Sequence, residues 1–232
     1  MLTISTTPDW HTTHPGAVIG LLELSGVDNT RHSPALNARK RQVEQRLRQA
    51  YAGYSRKDFL ALPVLAAYAR YYRQFDKTYH VLLQVESLAL RGRNLPDVSP
   101  LVDANYTAEV ETLVLTAGHD VEKLAAPVVI DVSRAGDMLA QMSGLALMNV
   151  PKRAIQPGDM VMRDREGICC TILYGQDNRS PITVETQHVL YVAYCPAGVP
   201  RDVVEAQLEQ IEANVRLFAP QARLEQKKIL DA

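Results

Sequence analysis

The chain has 232 residues, of which 47% are hydrophobic, and its 25 Lys and Arg nearly balance 26 Asp and Glu, for a formal net charge of -1. A chain of this length buries about 70 to 75% of its unfolded surface, so it can form a hydrophobic core without disulfides or metals. It contains no apolar run of about eighteen residues and no basic start followed by an apolar stretch, so we expect no membrane span, no signal peptide and a cytoplasmic protein.

The first predicted elements are an arm and a strand. Residues 1–14 are polar and predict a flexible N-terminal arm, followed by one domain over residues 15–232. Residues 17–24 (AVIGLLEL) form an apolar run between Pro15-Gly16 and Gly26, which favours a buried strand over a helix.

Helices are predicted next. Ser33-Pro34 is typical of a cap followed by the first helical residue. Ser55 and Asp58 have the spacing of a capping box, and Pro63 separates the short turn that follows from a second helix. A third helix is predicted over residues 79–91.

The second of these helices carries aromatic residues at helical spacing beside two arginines. The aromatic residues are Tyr68, Tyr71, Tyr72 and Phe75. We expect this stripe to pack in the core; the alternatives are stacking on nucleic-acid bases and an interface for a protein partner.

Positive charge is concentrated in the helical part. Residues 31–93 hold 13 Lys and Arg against 4 Asp and Glu, a net charge of +9, whereas the remainder holds 12 against 22, a net charge of -10. A basic surface attracts phosphates in a salt-dependent way; the alternative is that these helices are simply solvated. The residues that we expect to contact RNA are Arg39, Lys40, Arg41, Arg46, Arg48, Arg91 and Arg93.

Beyond Pro127 the pattern changes to short strands, namely PVVIDVS, MVMRD, ICCTILYG and HVLYVAYC. A turn at residues 165–167 predicts a hairpin between the second and the third. Cys169, Cys170 and Cys195 match neither a disulfide framework nor a zinc site, so we expect buried thiols in strands. A helix over residues 200–218 is the last predicted element, and helices followed by strands indicate a single α+β domain.

Polar residues cluster between the helical and the strand-rich parts. Asp103 and Asn105 precede an amphipathic segment, where they either cap a helix or face a cleft. His119-Asp120 follows Gly118, which permits a close backbone approach at a pocket wall, and a His beside an Asp is a candidate general base. Hydroxyls that suit an amino-acid or ribose moiety follow at Ser180, Thr183 and Thr186. No phosphate-binding glycine loop or metal motif is present in the sequence, so we predict neither a cofactor nor a metal.

The order of these motifs resembles that of a known family. VDAN at residues 102–105, GHDVEKL at residues 118–124 and ITVET at residues 182–186 resemble the B3/B4 domain, the tRNA-binding and editing module of the phenylalanyl-tRNA synthetase beta subunit, and particularly its free-standing members. The resemblance covers residues 15–199. It implies an α+β fold whose β-sandwich-like sheets have an unusual topology and are flanked by helices, with a cleft for an amino acid esterified to tRNA.

The resemblance also implies ester hydrolysis and a role for each residue. Asp103, Asn105, Thr183 and Thr186 would bind substrate, His119 would position or deprotonate water, and Asp120 would hold the imidazole. An aminoacyl ester is already activated, so a positioned water can suffice without a covalent nucleophile. The chain differs from the synthetase motif in that its His stands directly before the Asp, rather than two or three residues earlier.

Two functional hypotheses follow. The leading one is a stand-alone tRNA-binding protein that either hydrolyses mischarged aminoacyl-tRNA in trans or retains recognition alone. The alternative is a protein that binds a free amino acid or a similar small molecule in the same cleft, which the pI of about 6.6 and the shifted His favour. The sequence does not indicate an oligomeric state.

Overall fold

The computed structural model describes residues 1–30, 33–140 and 152–232, so Arg31 of the basic segment lies outside the described residues. The helices are α1 (Pro8–Thr13), α2 (Pro34–Ala50), α3 (Arg56–Ala61), α4 (Pro63–Arg73), α5 (His80–Ala89), α6 (Pro100–Thr112) and α7 (Arg201–Arg216), with a 3-10 turn at Val121–Lys123. The strands are β1 (Ile4–Thr6), β2 (Val18–Ser25), β3 (Thr116–Asp120), β4 (Val128–Val132), β5 (Met138–Leu139), β6 (Arg153–Ala154), β7 (Met160–Asp164), β8 (Gly167–Thr171), β9 (Gly175–Gln176), β10 (His188–Cys195) and β11 (Arg223–Asp231).

The strands form two larger sheets and one small one. The five-stranded sheet has the order β1-β4-β7-β8-β9, the four-stranded sheet the order β11-β2-β10-β3, and β5 pairs with β6. β1 runs parallel to β4, and the other pairs are antiparallel. Helix α7 packs on β2 and β10, and α6 packs on β3. The predicted α+β class, with sheets flanked by helices, is confirmed.

One hydrophobic core joins the helices to both larger sheets, with members from Trp10 to Ala222. The aromatic stripe of α4 lies in this core: Tyr68, Tyr71 and Tyr72 are all buried. Their hydroxyls are also committed, since Tyr68 Oη donates to the Tyr194 carbonyl at 2.7 Å. The stripe therefore packs internally, as expected, and presents these rings neither to bases nor to a partner.

Local signals in the sequence correspond to the observed element boundaries. Ser33 Oγ accepts a hydrogen bond from the Leu36 N–H at 3.1 Å and caps α2. The Asp58 carboxylate accepts from the Ser55 N–H at 2.8 Å, and Pro63 begins α4. The hairpin at residues 165–167 joins β7 to β8, and all three cysteines are free and buried. These predictions are confirmed.

The two ends of the chain differ from the expectation. Residues 1–14 do not form a loose arm, because β1 pairs with β4 and Trp10 is fully buried in the core. Thr7 Oγ1 also donates to Asp131 Oδ1 at 2.7 Å. After α7, the chain adds β11 at the edge of a sheet, beside β2. An edge strand can keep polar side chains in solvent, which is consistent with its sequence RLEQKKILD, in which charged and apolar residues are mixed.

Across the described residues, no helix combines the length and the apolar character that crossing a membrane requires.

Candidate functional site

A cleft of about 310 Å³ lies where α5 and α6 meet the edge of β3 and the strands β8 and β9. Its polar lining includes two pairs of residues spaced one helical turn apart, which therefore share a helix face. His80 and Gln84 come from α5, and Asn105 and Glu109 come from α6. The apolar lining includes Val102, Leu115, Ile172 and Ile182.

Gly118 shapes the wall that β3 contributes. A Cβ at this position would lie 2.5 Å from Ile182 Cδ1 and 3.1 Å from the Tyr191 ring, which is closer than side chains pack. The free edge of β3 is closed from the other side, because Gln176 Nε2 donates to the Gly118 carbonyl at 2.7 Å. Gly118 therefore permits the close backbone approach that the sequence predicts.

Asn105 presents a hydrogen-bond acceptor that no described residue uses. Its Nδ2 donates to the Thr116 carbonyl at 2.8 Å, which sets the orientation of the amide. Its Oδ1 is buried and has no hydrogen-bond partner among the residues that the structure describes, and the same holds for Gln84 Oε1. A buried acceptor favours a hydrogen-bond donor beside it, so a ligand that donates hydrogen bonds gains affinity there.

Glu109 brings an ionisable group to the same cleft. Burial raises the pKa of its carboxyl to about 8, although a hydrogen bond from the Thr116 N–H to Oε2 at 3.0 Å opposes part of the rise. Burial and the neighbouring Glu109 raise the pKa of the Tyr106 hydroxyl to about 12. The empty cleft is thus close to neutral at pH 7, and a cationic group beside Glu109 would favour its ionised form.

His119 lies outside this cleft. Successive side chains of a strand point to opposite faces, so His119 faces away from the wall that Gly118 forms. Its side chain is fully buried, and Nδ1 lies 2.8 Å from Ser180 Oγ. Burial, together with the charge of Arg179, lowers the pKa of His119 to about 3. The imidazole is neutral and enclosed in protein, and its Nε2 has no hydrogen-bond partner among the described residues.

Asp120, Thr183 and Thr186 come together in a turn. Thr186 Oγ1 donates to Asp120 Oδ2 at 2.9 Å and accepts from the Thr183 N–H at 2.9 Å. Asp120 also accepts from the Glu122 N–H at 3.2 Å and so caps the 3-10 turn. The structure therefore joins these three predicted residues to one another, but none of them lines the cleft, and neither do His119 and Asp103.

Asp103 and Lys40 form a buried ion pair between α6 and α2. Lys40 Nζ lies 2.7 Å from Asp103 Oδ2 and 2.5 Å from Asp97 Oδ1, and the Lys40 side chain is 1% exposed. The ammonium of Lys40 therefore has no free surface to offer to RNA. Both oxygens of Asp103 are also bonded within the protein, because Oδ1 accepts a hydrogen bond from the Val98 N–H at 3.0 Å, so Asp103 is not available to bind substrate.

The predicted RNA-binding arginines differ in whether their guanidinium groups are bound by other groups of the protein. Arg39 and Arg46 both pair with Glu111, and Arg41 pairs with Glu44 at 2.9 Å. Arg48 donates to the carbonyls of Gly92 and Arg93, which ties α2 to the loop after α5. Arg91 and Arg93 are exposed in that loop.

Of these cleft residues, Asn105 was predicted from the sequence, whereas Gln84, Glu109 and Gln176 were not. A detectable signal for Glu109 was its spacing of four residues from Asn105, between the apolar neighbours Ala108 and Val110. Gln176 gave no such signal, since its position depends on how β9 meets β3. Within the described ranges, no group of three or more His, Cys, Asp or Glu side chains is placed to hold a metal ion.

Comparison with solved structures gives a structural likeness, whereas the sequence comparisons give none. No protein-family model matches the chain, and no curated protein matches it. The solved structure of an N-terminal fragment of the phenylalanyl-tRNA synthetase beta subunit from Pyrococcus horikoshii is similar at a TM-score of 0.46 and 11% identity. The match covers 98% of this chain and 50% of that fragment, so the chain spans about half of its length. At this level of similarity, function has to be argued from the side chains of the chain itself.

Proposed function

We propose that the chain binds a small ligand that carries an amino group on an apolar body, such as a free amino acid, in the cleft between α5, α6 and β3. The observation that supports this most directly is the unpartnered, buried Oδ1 of Asn105 beside the carboxyl of Glu109. Acceptors grouped in a largely apolar space favour a ligand that supplies hydrogen-bond donors.

The size of the cleft favours a small ligand over a nucleotide. Ligand pockets span roughly 300 to 1,000 Å³. At about 310 Å³ this cleft lies at the small end of that range. The ammonium of an amino acid would lie against Asn105, Gln84 and Glu109, and its side chain against apolar residues such as Val102 and Ile182.

Thermal shift against a panel of amino acids and simple amines tests the proposal. A ligand at a hundred times its dissociation constant adds about 2.7 kcal/mol to the free energy of unfolding, which a melting curve resolves. Asn105→Ala and Glu109→Gln should each weaken binding, whereas Gln49→Ala, an exposed amide on α2, should leave it unchanged. If no compound with an amino group stabilises the wild-type chain, the proposal is wrong.

RNA binding is a second candidate function, and the exposed Arg91 and Arg93 favour it. Arg48 holds their loop through hydrogen bonds to the carbonyls of Gly92 and Arg93, at 3.1 and 2.9 Å. An ordered loop with two exposed guanidinium groups is suited to phosphate contacts. In this proposal the partner is tRNA, the cleft receives its aminoacyl end, and any ester hydrolysis takes place beside Asn105 and Glu109.

The affinity for tRNA across salt concentrations tests this second function. Each phosphate contact contributes about 0.7 to 0.9 to the slope of log affinity against log salt. Replacing Arg91 and Arg93 by Ala should reduce the slope by about two contacts, whereas Lys228→Ala, which removes an exposed charge on β11, should not. A salt-independent affinity, or no binding at low salt, excludes RNA as the partner.

A further inference from the structure

A second cavity, distinct from the cleft, lies between α3, α4 and α5. Its volume is about 210 Å³, and three of its nine lining residues are basic, namely Arg56, Arg73 and Lys77. The other lining residues are apolar or hydroxyl-bearing, and none carries a carboxylate. We call this cavity the basic groove.

The charges of the basic groove are largely unneutralised. Among the residues that the structure describes, neither Arg73 nor Lys77 has a carboxylate within ion-pair distance. Lys77 Nζ lies 4.5 Å from the centroid of the Tyr174 ring, a contact that positions the ammonium and leaves its charge in place. Arg153 lies over the same ring at 4.8 Å.

One carboxylate partly offsets the third cation. Arg56 lies 3.7 Å from Glu86 Oε2, and the Arg56 side chain is 51% exposed. Glu86 is buried, but at 3.7 Å the pair is too long for a hydrogen bond, so the half-exposed guanidinium of Arg56 keeps its donors for a ligand. Asp58, on the same helix, accepts hydrogen bonds from Ser55 and does not pair with the groove.

The backbone at the basic groove also favours a negatively charged ligand. Thr78 and Tyr79 line the groove and lead directly into α5, whose N-cap residue Tyr79 makes no side-chain capping hydrogen bond. The first N–H groups of a helix lack partners within the helix and lie at the positive end of its dipole. This end of α5 therefore adds to the potential that the three side chains create.

We propose that the basic groove binds a phosphate group. Several charged donors around one small space match the several oxygens and the charge of a phosphate, and the forked donors of arginine can bind two of those oxygens at once. The apolar walls at Leu60, Leu65 and Leu82 provide room for a small group attached to the phosphate. A phosphorylated small molecule and the backbone of RNA share this chemistry.

The basic groove and the cleft use different faces of α5. Tyr79 and Leu82 line the groove, whereas His80 and Gln84 line the cleft. The proposal therefore does not depend on the amino-group ligand, nor on the loop with Arg91 and Arg93. Amino-group binding in the cleft, RNA binding by the loop and phosphate binding in the basic groove can each be disproved independently of the other two.

Isothermal titration of the full chain with inorganic phosphate, at constant ionic strength set by chloride, tests the proposal. Saturable binding is expected, and Arg73→Ala should weaken it by about tenfold or more, the loss of one hydrogen bond to a charged group. Lys77→Ala should have a similar effect, and Lys228→Ala should have none. Arg73→Lys, which retains the charge at an exposed helix end, should recover part of the affinity.

Competition identifies the source of the phosphate. Displacement of bound phosphate by adenosine monophosphate assigns a small phosphorylated ligand, and displacement by tRNA alone assigns an RNA backbone. Absence of saturable phosphate binding overturns the proposal. So does an equal loss of affinity in the Arg73→Ala and Lys228→Ala variants, because it would show attraction by net charge alone.

Discussion

Asn105 and Glu109, one turn apart on α6, hold the backbone of Thr116 from both sides. Asn105 Nδ2 donates to the Thr116 carbonyl at 2.8 Å, and Glu109 Oε2 accepts from the Thr116 N–H at 3.0 Å. The start of β3 is therefore fastened to α6 by the two residues that line the cleft. Their orientation is set before any ligand arrives, which lowers the entropy that binding must overcome.

Glu109→Gln should change how stability depends on pH. Burial raises the pKa of Glu109 from 4.5 to about 8, so the folded chain keeps a proton that the unfolded chain loses between these values. The stability that this group contributes is complete below about pH 4.5 and is lost as the pH rises through about 8. The variant stays neutral, so its stability relative to wild type should rise with pH, by an amount on the order of a few kcal/mol.

Urea unfolding of both chains at about pH 5 and pH 9 measures this difference. Asp159, whose pKa burial raises to about 7, is present in both chains and cancels in the comparison. Parallel pH profiles would show that Glu109 is not the buried acid that the structure describes.

His119→Ala should act on stability rather than on the cleft. The imidazole is fully buried and contacts Ser180, so its removal leaves a cavity that costs about 2 to 4 kcal/mol. Urea unfolding gives that loss, and ligand affinity measured well below the melting temperature should stay near the wild-type value. A loss of affinity in a fully folded variant would restore His119 to the binding site, as the family resemblance implies.

Lys40→Met should be strongly destabilising, by about 3 to 5 kcal/mol, because it leaves the buried Asp103 carboxylate without its counter-charge. The double variant Lys40→Met, Asp103→Leu should recover most of this loss, since no buried charge remains. Arg46→Ala is the matched control: Arg46 is 57% exposed and shares Glu111 with Arg39, so the change should be below about 1 kcal/mol. Urea unfolding of the wild type and the three variants measures these differences. Similar losses of stability in the Lys40→Met and Arg46→Ala variants would contradict the burial of Lys40.

Gly118→Ala should reduce both stability and ligand binding. The added methyl group would displace Ile182, a cleft residue, at a cost of about 1 to 3 kcal/mol. Gly20→Ala meets Val204 Cγ1 at 2.9 Å, which is a comparable clash away from the cleft. It should therefore lower the melting temperature while leaving the affinity intact, and the cleft assignment is wrong if both variants lose affinity equally.

Elements with local signals could be predicted from the sequence, and elements that depend on distant partners could not. The cap at Ser33, the box at Ser55 and the hairpin at residues 165–167 depend on residues close in the chain. β1 and β11 are short or polar segments that become strands because β4 and β2 offer them hydrogen bonds. No pattern within residues 4–6 identifies such a partner.

The candidate site shows the same division. Asn105 could be found as a polar residue beside an amphipathic segment, although the helix begins earlier than expected, at Pro100, and places Asn105 in its interior rather than at its cap. The direction of His119 depends on the register of β3, where a shift of one residue exchanges the two faces. The burial of Lys40 does have a signal in the sequence. Leu36, Lys40, Val43 and Leu47 recur at helical spacing, which places this lysine on the buried stripe of α2.

The position of β2 has a consequence for how the protein is made. Residues 18–25 pair with residues 188–195 on one side and with residues 223–231 on the other. A ribosome therefore releases one of the most apolar segments of the chain long before either neighbouring strand has been synthesised. Such a topology delays closure of the four-stranded sheet until translation is nearly complete, and it exposes the early segment to chaperones and to aggregation during that interval.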